Sequence, residues 1–195
     1  MATRNILKDG DKGLLKKSRT VTDFNRRLHI LLDDMRETLI EANGVGLAAP
    51  QVGVLRRVAL IVDMSIAGEQ IETEDSEDGE NENESTYDIY ENIIELINPE
   101  IVTEDGEQTD SEGCLSVPGI YGIVTRPETV VVRAQDRNGK AFEIEVSAMT
   151  ARAACHEVDH LNGVLFTSIA ERLLTEEELA ELAAQNEDHN AEEKV

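Results

Sequence analysis

The chain has 195 residues and a formal charge of −23, from 18 basic and 41 acidic side chains, with 40% hydrophobic content. That length and apolar content fit one domain with a full hydrophobic core. The acidity excludes a general electrostatic attraction to bare nucleic acid or anionic membrane, although about half of the acids fall in two stretches, Glu69 to Glu91 and Glu171 to the C-terminus.

The residues from Met1 to Lys8 lack the apolar run of a secretory signal, and no later stretch approaches the roughly 18 apolar residues of a membrane span. A cytoplasmic protein that neither enters a membrane nor binds DNA directly is expected. Lys12, Lys16, Lys17, Arg19, Arg26 and Arg27 make a local basic group whose simplest reading is a solvated face. From Thr22 to Ala42 the apolar residues Phe24, Leu28, Leu31, Leu32, Met35, Leu39 and Ile40 recur at helical spacing. Thr22 or Asp23 is the expected cap, and Asn43 with Gly44 ends the helix. Arg57 to Asp63 and Ile93 to Thr103 read as strands, separated by the acidic stretch 69–91, a solvated surface-loop insertion.

Thr129 to Gln135 and Ala141 to Val146 predict a hairpin that turns over Asn138 and Gly139. Ser147 then caps a helix from Ala148 to Leu161, which Asn162 and Gly163 terminate. Thr175 and Glu178 have the spacing of a capping box at the start of a last helix, beyond which an acidic tail is expected. Strands with few βαβ alternations predict an α+β fold, with antiparallel or mixed sheets rather than a doubly wound one.

The helix after the hairpin carries chemistry. His156 and His160 are four residues apart and leave the same helical face, while Glu157 lies beside them, within reach of a water on an ion held there. A catalytic site of this type needs a third protein ligand and an open position. Cys114, in the segment from Glu112 to Gly119, can supply a thiolate; Glu171, Glu181 and His189 are downstream alternatives. Cys114 and Cys155 call for separate explanations, because a reducing cytoplasm favours metal binding or burial over a disulfide. The glycine-rich segment from Gly44 to Gly53 fits a tight helix-to-strand turn.

Together, the segments Gly44 to Gly53, Glu112 to Gly119 and Cys155 to His160 resemble the three motifs of the peptide deformylase family, Gly-x-Gly-Leu-Ala-Ala-x-Gln, Glu-Gly-Cys-Leu-Ser and His-Glu-x-x-His. Leu96 to Glu100 and Leu161 to Phe166 are also similar, and the likeness runs from Arg4 to Leu173. It implies a compact α+β domain over 1–173, built around a central metal-binding helix, with an N-terminal helix and an acidic C-terminal helix and tail over 174–195.

The resemblance further implies that Cys114, His156 and His160 hold one metal ion. Iron(II) is usual in the family, and zinc, nickel or cobalt suit the same ligands. Glu157 would be the general base and acid, with the Gln51 amide and the Leu115 backbone N–H stabilising the oxyanion. The substrate would be an N-formylmethionyl nascent chain, paired as an added strand along Val45 and Gly46. Val45, Met149, Arg152, Ala153 and His156 would line the methionine pocket, the arginine through its aliphatic stem. Asp159 would pair with Arg126 and brace the Cys114 segment against the metal helix, and Cys155 would be a small buried residue. A monomer is expected, with docking near the ribosomal exit tunnel as a further expectation. The acidic tail differs from the basic helix that some relatives use there, so the tail itself is a poor docking element. Two rival readings are a zinc metallopeptidase with a downstream third ligand and a non-catalytic metal-binding homologue. The presence of Glu157, Gln51 and Leu115 together argues against the latter.

Overall fold

The computed structural model describes residues 2–65, 89–175 and 177–179. Helix α1 spans Arg26–Glu41, and its cap is Asn25, whose side chain accepts from the backbone N–H groups of Arg27 and Leu28. The expected start at Thr22 or Asp23 is therefore corrected. The free amides of the first turn are satisfied from Asn25, and the preceding residues stay non-helical.

Among the described residues, eight strands form two sheets. The larger contains β1 (Gly46–Ala48), β2 (Val58–Val62), β3 (Ile93–Asp105), β6 (Thr129–Gln135) and β7 (Ala141–Ser147), in the order β1-β2-β3-β6-β7. The smaller contains β4 (Gln108–Cys114), β5 (Val117–Arg126) and β8 (Arg172–Leu173), in the order β4-β5-β8. Every ladder among the described residues is antiparallel, and the sole parallel pairing is an isolated bridge between Arg19 and Arg56.

Strand β2 shows why the run Val-Ala-Leu-Ile-Val is apolar throughout. Val58, Leu60 and Val62 pack on one side with Leu32, Met35 and Leu39 of α1. Ala59 and Ile61 pack on the other with Ala151, Ala154 and Leu161 of helix α2 (Ala148–Asn162). Alternate side chains point to opposite faces, so a strand covered by a helix on each face has no polar side. Small residues on α2 let it lie close to the sheet and bury its length, which places its histidines inside the protein.

The ends of α2 divide. Gly163 closes it with φ of 78°, as expected of a left-handed C-cap. Ser147 occupies the N-cap position, but its hydroxyl makes no capping bond. Ala148 instead takes φ of 49° and donates its N–H to the Glu128 carbonyl at 2.9 Å. Near the C-terminus the reciprocal box forms: Glu178 N–H donates to Thr175 Oγ1 at 3.3 Å, and Thr175 N–H to Glu178 Oε2 at 2.9 Å. Residues 177–179 are helical; most of the expected last helix and tail, and most of the acidic insertion, lie outside the described residues. No helix among the described residues is long and apolar enough to cross a membrane.

Candidate metal centre and substrate groove

Helix α2 brings His156 and His160 to one face with Nε2 atoms 3.1 Å apart, and strand β4 ends so that Cys114 Sγ lies 3.2 Å from His160 Nε2. One ligand atom from each of these three residues lies within 4.8 Å of the others. Of the other candidates for the third ligand, Glu171 instead accepts a hydrogen bond from the Thr125 hydroxyl at 2.7 Å, and Glu181 and His189 fall outside the described residues. Both cysteines are free thiols. Cys155 is buried on the far side of the helix, and burial pushes its thiol up to about 11, consistent with an inert packing residue.

The donors suit a borderline divalent ion: one sulfur and two imidazole nitrogens, converging from a rigid helix and a strand end. His156 Nδ1 meets Glu112 Oε1 at 2.5 Å, which fixes the ring and leaves Nε2 facing the centre. Two imidazole nitrogens this close cannot both carry protons. Burial lowers His160 to about 3, with the neighbouring His156 acting in the same direction. For His156 burial acts downward too, yet hydrogen bonds with Cys114 and Glu112 prevail and raise it to about 10. The cluster thus attracts positive charge at a site where His160 stays a neutral donor.

Glu112 anchors a buried charge network. Its carboxylate receives Arg126 Nε at 3.1 Å and Nη2 at 2.8 Å, Arg152 Nη1 at 3.3 Å, and His156. Burial alone would raise this carboxyl; the hydrogen bonds from His156 and Arg126 hold it at about 2. Arg126 also reaches Asp159 Oδ2 at 2.6 Å, so the expected Arg126–Asp159 pair exists and ties β5 to α2. Arg152 is buried and spends its guanidinium on Glu112 and on the Val124 and Gln108 carbonyls. Its role is thereby larger than a pocket wall, although it does border the groove.

Glu157 is 3% exposed, and its Oε2 has no hydrogen-bond partner among the described residues. Burial lifts its carboxyl to about 7, a value suited to taking and returning a proton near neutrality. Gln51 is oriented from both ends. Its Oε1 accepts from Ala48 N–H at 2.7 Å, which turns Nε2 towards Ser116 Oγ at 3.2 Å and Cys114 Sγ at 3.6 Å. The Ser116 N–H also donates to Cys114 Sγ at 3.3 Å.

These groups open into a groove of about 700 Å³. Val45, Gly46, Gln51, Cys114, Leu115, Met149, Arg152, Ala153, His156 and Glu157 all line it, whereas His160 lies behind, and Asp159 and Arg126 border a separate recess on the far side of α2. Nothing in local spacing singles out Glu112 as the hub, nor Lys8, whose Nζ donates to the Leu115 carbonyl at 2.8 Å. The one available signal for Glu112 was its place two residues before Cys114, on the same strand but with no obvious partner in sequence.

A model of the polypeptide deformylase family matches residues 3–175. The chain is 47% identical over 179 residues to a peptide deformylase of Caldicellulosiruptor bescii, covering 92% of each. The solved peptide deformylase of Thermotoga maritima superposes with a TM-score of 0.72 at 32% identity, over 88% of this chain and 100% of that one. A Met-Ala-Ser-bound class I type b peptide deformylase from Acinetobacter baumannii gives a TM-score of 0.70 at 31% identity, over 86% of this chain and 98% of that one.

Proposed function

Because the chain belongs to the peptide deformylase family, we propose that Cys114, His156 and His160 hold its catalytic metal, and that Glu157, Gln51 and Leu115 carry out the chemistry around it. The chain is a metal-dependent hydrolase that removes the N-formyl group from newly made peptides, leaving formate and a free amino terminus. The observation that carries the residue roles is the convergence of a Cys-His-His set, an unpartnered buried carboxylate and a fixed amide N–H donor at one end of a single groove. When bound, the ion supplies Lewis acidity, which polarises the formyl oxygen and acidifies water.

Glu157 takes the proton of the attacking water as its oxygen adds to the formyl carbon. The oxygen that gains charge sits against the Gln51 amide and the Leu115 backbone N–H, held ready by the Ala48 contact and the β4–β5 turn. Glu157 then gives the proton to the amine nitrogen as the C–N bond breaks. Its burial favours the earlier uptake, because the neutral carboxyl is the cheaper state in a dry site, and the basicity of the departing amine draws the proton back out. The peptide pairs along Val45 and Gly46, and its methionine enters beside Met149, Ala153 and the stem of Arg152. Asp159 and Arg126 support the helix from behind.

Iron(II) is the proposed ion, one per chain, with zinc, nickel or cobalt as working substitutes for the same donor set. Residues 1–173 form the proposed catalytic domain, with 174–195 as an acidic appendage and 69–91 as an insertion. The working state is a cytoplasmic monomer that meets formylmethionyl chains near the ribosomal exit tunnel. The test is formate release from formyl-Met-Ala-Ser by anaerobically purified, iron(II)-loaded protein. The wild type should release formate and a Glu157→Ala variant should retain metal but lose turnover; full turnover in that variant would sink the assignment of the base.

A further inference from the structure

Apart from the proposed metal ligands Cys114 and His156, the groove is bordered by four charged side chains, Lys8, Glu112, Arg152 and Glu157, and all but Lys8 are buried and committed to the centre. Lys8 alone is exposed. The other exposed side chains on the rim carry no charge: Asn43 is polar, and Val45, Ile120, Tyr121 and Met149 are largely apolar. A single cation therefore sits on an otherwise uncharged and partly greasy rim.

Its position is fixed by the segment that carries it. Leu7 N–H donates to the Gln51 carbonyl at 2.7 Å, and Asp9 N–H to the Ser116 carbonyl at 2.7 Å. The residues on both sides of Lys8 are thus stitched to the two segments that present the oxyanion donors. Lys8 Nζ reaches the Leu115 carbonyl at 2.8 Å, which uses one of its three N–H donors. The nearest carboxylate in sequence, Asp9, is turned to the Gly10 N–H at 2.9 Å, and Lys8 has no ion-pair partner among the described residues. An exposed ammonium, pinned by one hydrogen bond and with donors left over on the rim of a peptide groove, is a recognition element for an anion.

We propose that Lys8 is a specificity-determining residue, selecting formylmethionyl chains that carry an acidic side chain in one of the two positions after the formylmethionine. This deepens the functional reading above and rests on its placement of the peptide in this groove. An approaching Asp or Glu gains a charge-assisted contact with Nζ, while a Lys or Arg at the same place meets a like charge that cannot swing away without releasing the Leu115 carbonyl. Exposed ion pairs are weak, so the expected discrimination is modest, about fivefold between an acidic and a basic peptide.

The experiment compares kcat/KM at low ionic strength for formyl-Met-Glu-Ser against formyl-Met-Lys-Ser, and for formyl-Met-Ala-Glu against formyl-Met-Ala-Lys, each ratio being set against formyl-Met-Ala-Ser. Wild type should favour the acidic member of at least one pair, and salt should shrink the preference. Lys8→Met should abolish it, Lys8→Glu should reverse it, and Lys8→Arg should keep it. Equal rates within both pairs for wild type, or a preference that survives in Lys8→Met, would overturn the proposal. So would a uniform loss across neutral, acidic and basic peptides in Lys8→Met, since that marks a purely structural tie to Leu115. No formate from formyl-Met-Ala-Ser with wild type would instead refute the reading of the groove itself.

Discussion

Gly46 and Glu157 are in contact across the groove so closely that a Cβ on Gly46 would lie 2.9 Å from the Glu157 carboxyl carbon and nearer still to one of its oxygens. The glycine is therefore required by its neighbour's side chain. Replacing Gly46 with alanine should displace the Glu157 carboxylate while leaving the metal ligands alone. A displacement near 1 Å at a reacting group costs about 100-fold in rate. The check is kcat/KM for formyl-Met-Ala-Ser together with metal content, and wild-type turnover in Gly46→Ala would contradict the prediction.

Glu112 is shared by two buried arginines and a metal-facing histidine, so its loss strands more charge than any other single change in the site. Glu112→Ala should lower stability by about 3–5 kcal/mol, the usual cost of leaving a buried charge without its partner. Metal affinity should fall about 10–100-fold as His156 loses its orienting contact. Asp159→Asn should do less, since that carboxylate is 26% exposed against 5% for Glu112. Urea unfolding and metal titration of the two variants decide the order.

Cys114 contributes the only thiolate to the ligand cluster. Cys114→Ala should reduce bound metal to a small fraction of the wild-type content after dialysis, and activity with it, while far-ultraviolet circular dichroism stays unchanged. Chelation of the wild type should remove activity reversibly, with anaerobic iron(II) restoring more of it than zinc. Retention of stoichiometric metal by Cys114→Ala would require a different third ligand.

Asp34 accepts from the Ala2 N–H at 3.0 Å and from Arg4 Nη2 at 2.9 Å, and these two contacts hold its carboxyl below its ordinary value of 3.8. A carboxyl depressed in the folded state stabilises the fold fully above its ordinary pKa, and that contribution fades as pH falls through the folded value. Asp34→Asn should thus have a lower Tm than wild type at about pH 6, with the gap closing towards about pH 2. A gap independent of pH would show that packing, not ionisation, holds the first residues to α1.

The parts of the site that depend on local geometry were legible in the chain. His156 and His160 need only one helix, and Thr175 with Glu178 need only one turn. Cys114 was singled out as a proposed ligand through the likeness of its motif, because its approach to His160 spans 46 residues. Glu112 was harder. Its partners Arg126 and Arg152 meet it only once β4 pairs with β5 and α2 closes over both, and the strand Gln108–Cys114 is too polar to announce itself by apolar alternation. Strand β2 was legible for the opposite reason, since burial on both faces writes a continuous apolar run. The start of α1 was misplaced because three capping residues, Thr22, Asp23 and Asn25, fall within four positions, and of these the side chain of Asn25 alone reaches the free amides.

The ligand set also joins the two sheets. Cys114 ends a strand of the small sheet, while both histidines belong to the helix laid on the large one. An ion shared among them is a tether as well as a reagent, closing a 46-residue span between Cys114 and His160. Metal supply would then govern how long each molecule survives proteolysis, and a metal-starved cell would lose the enzyme itself along with its turnover.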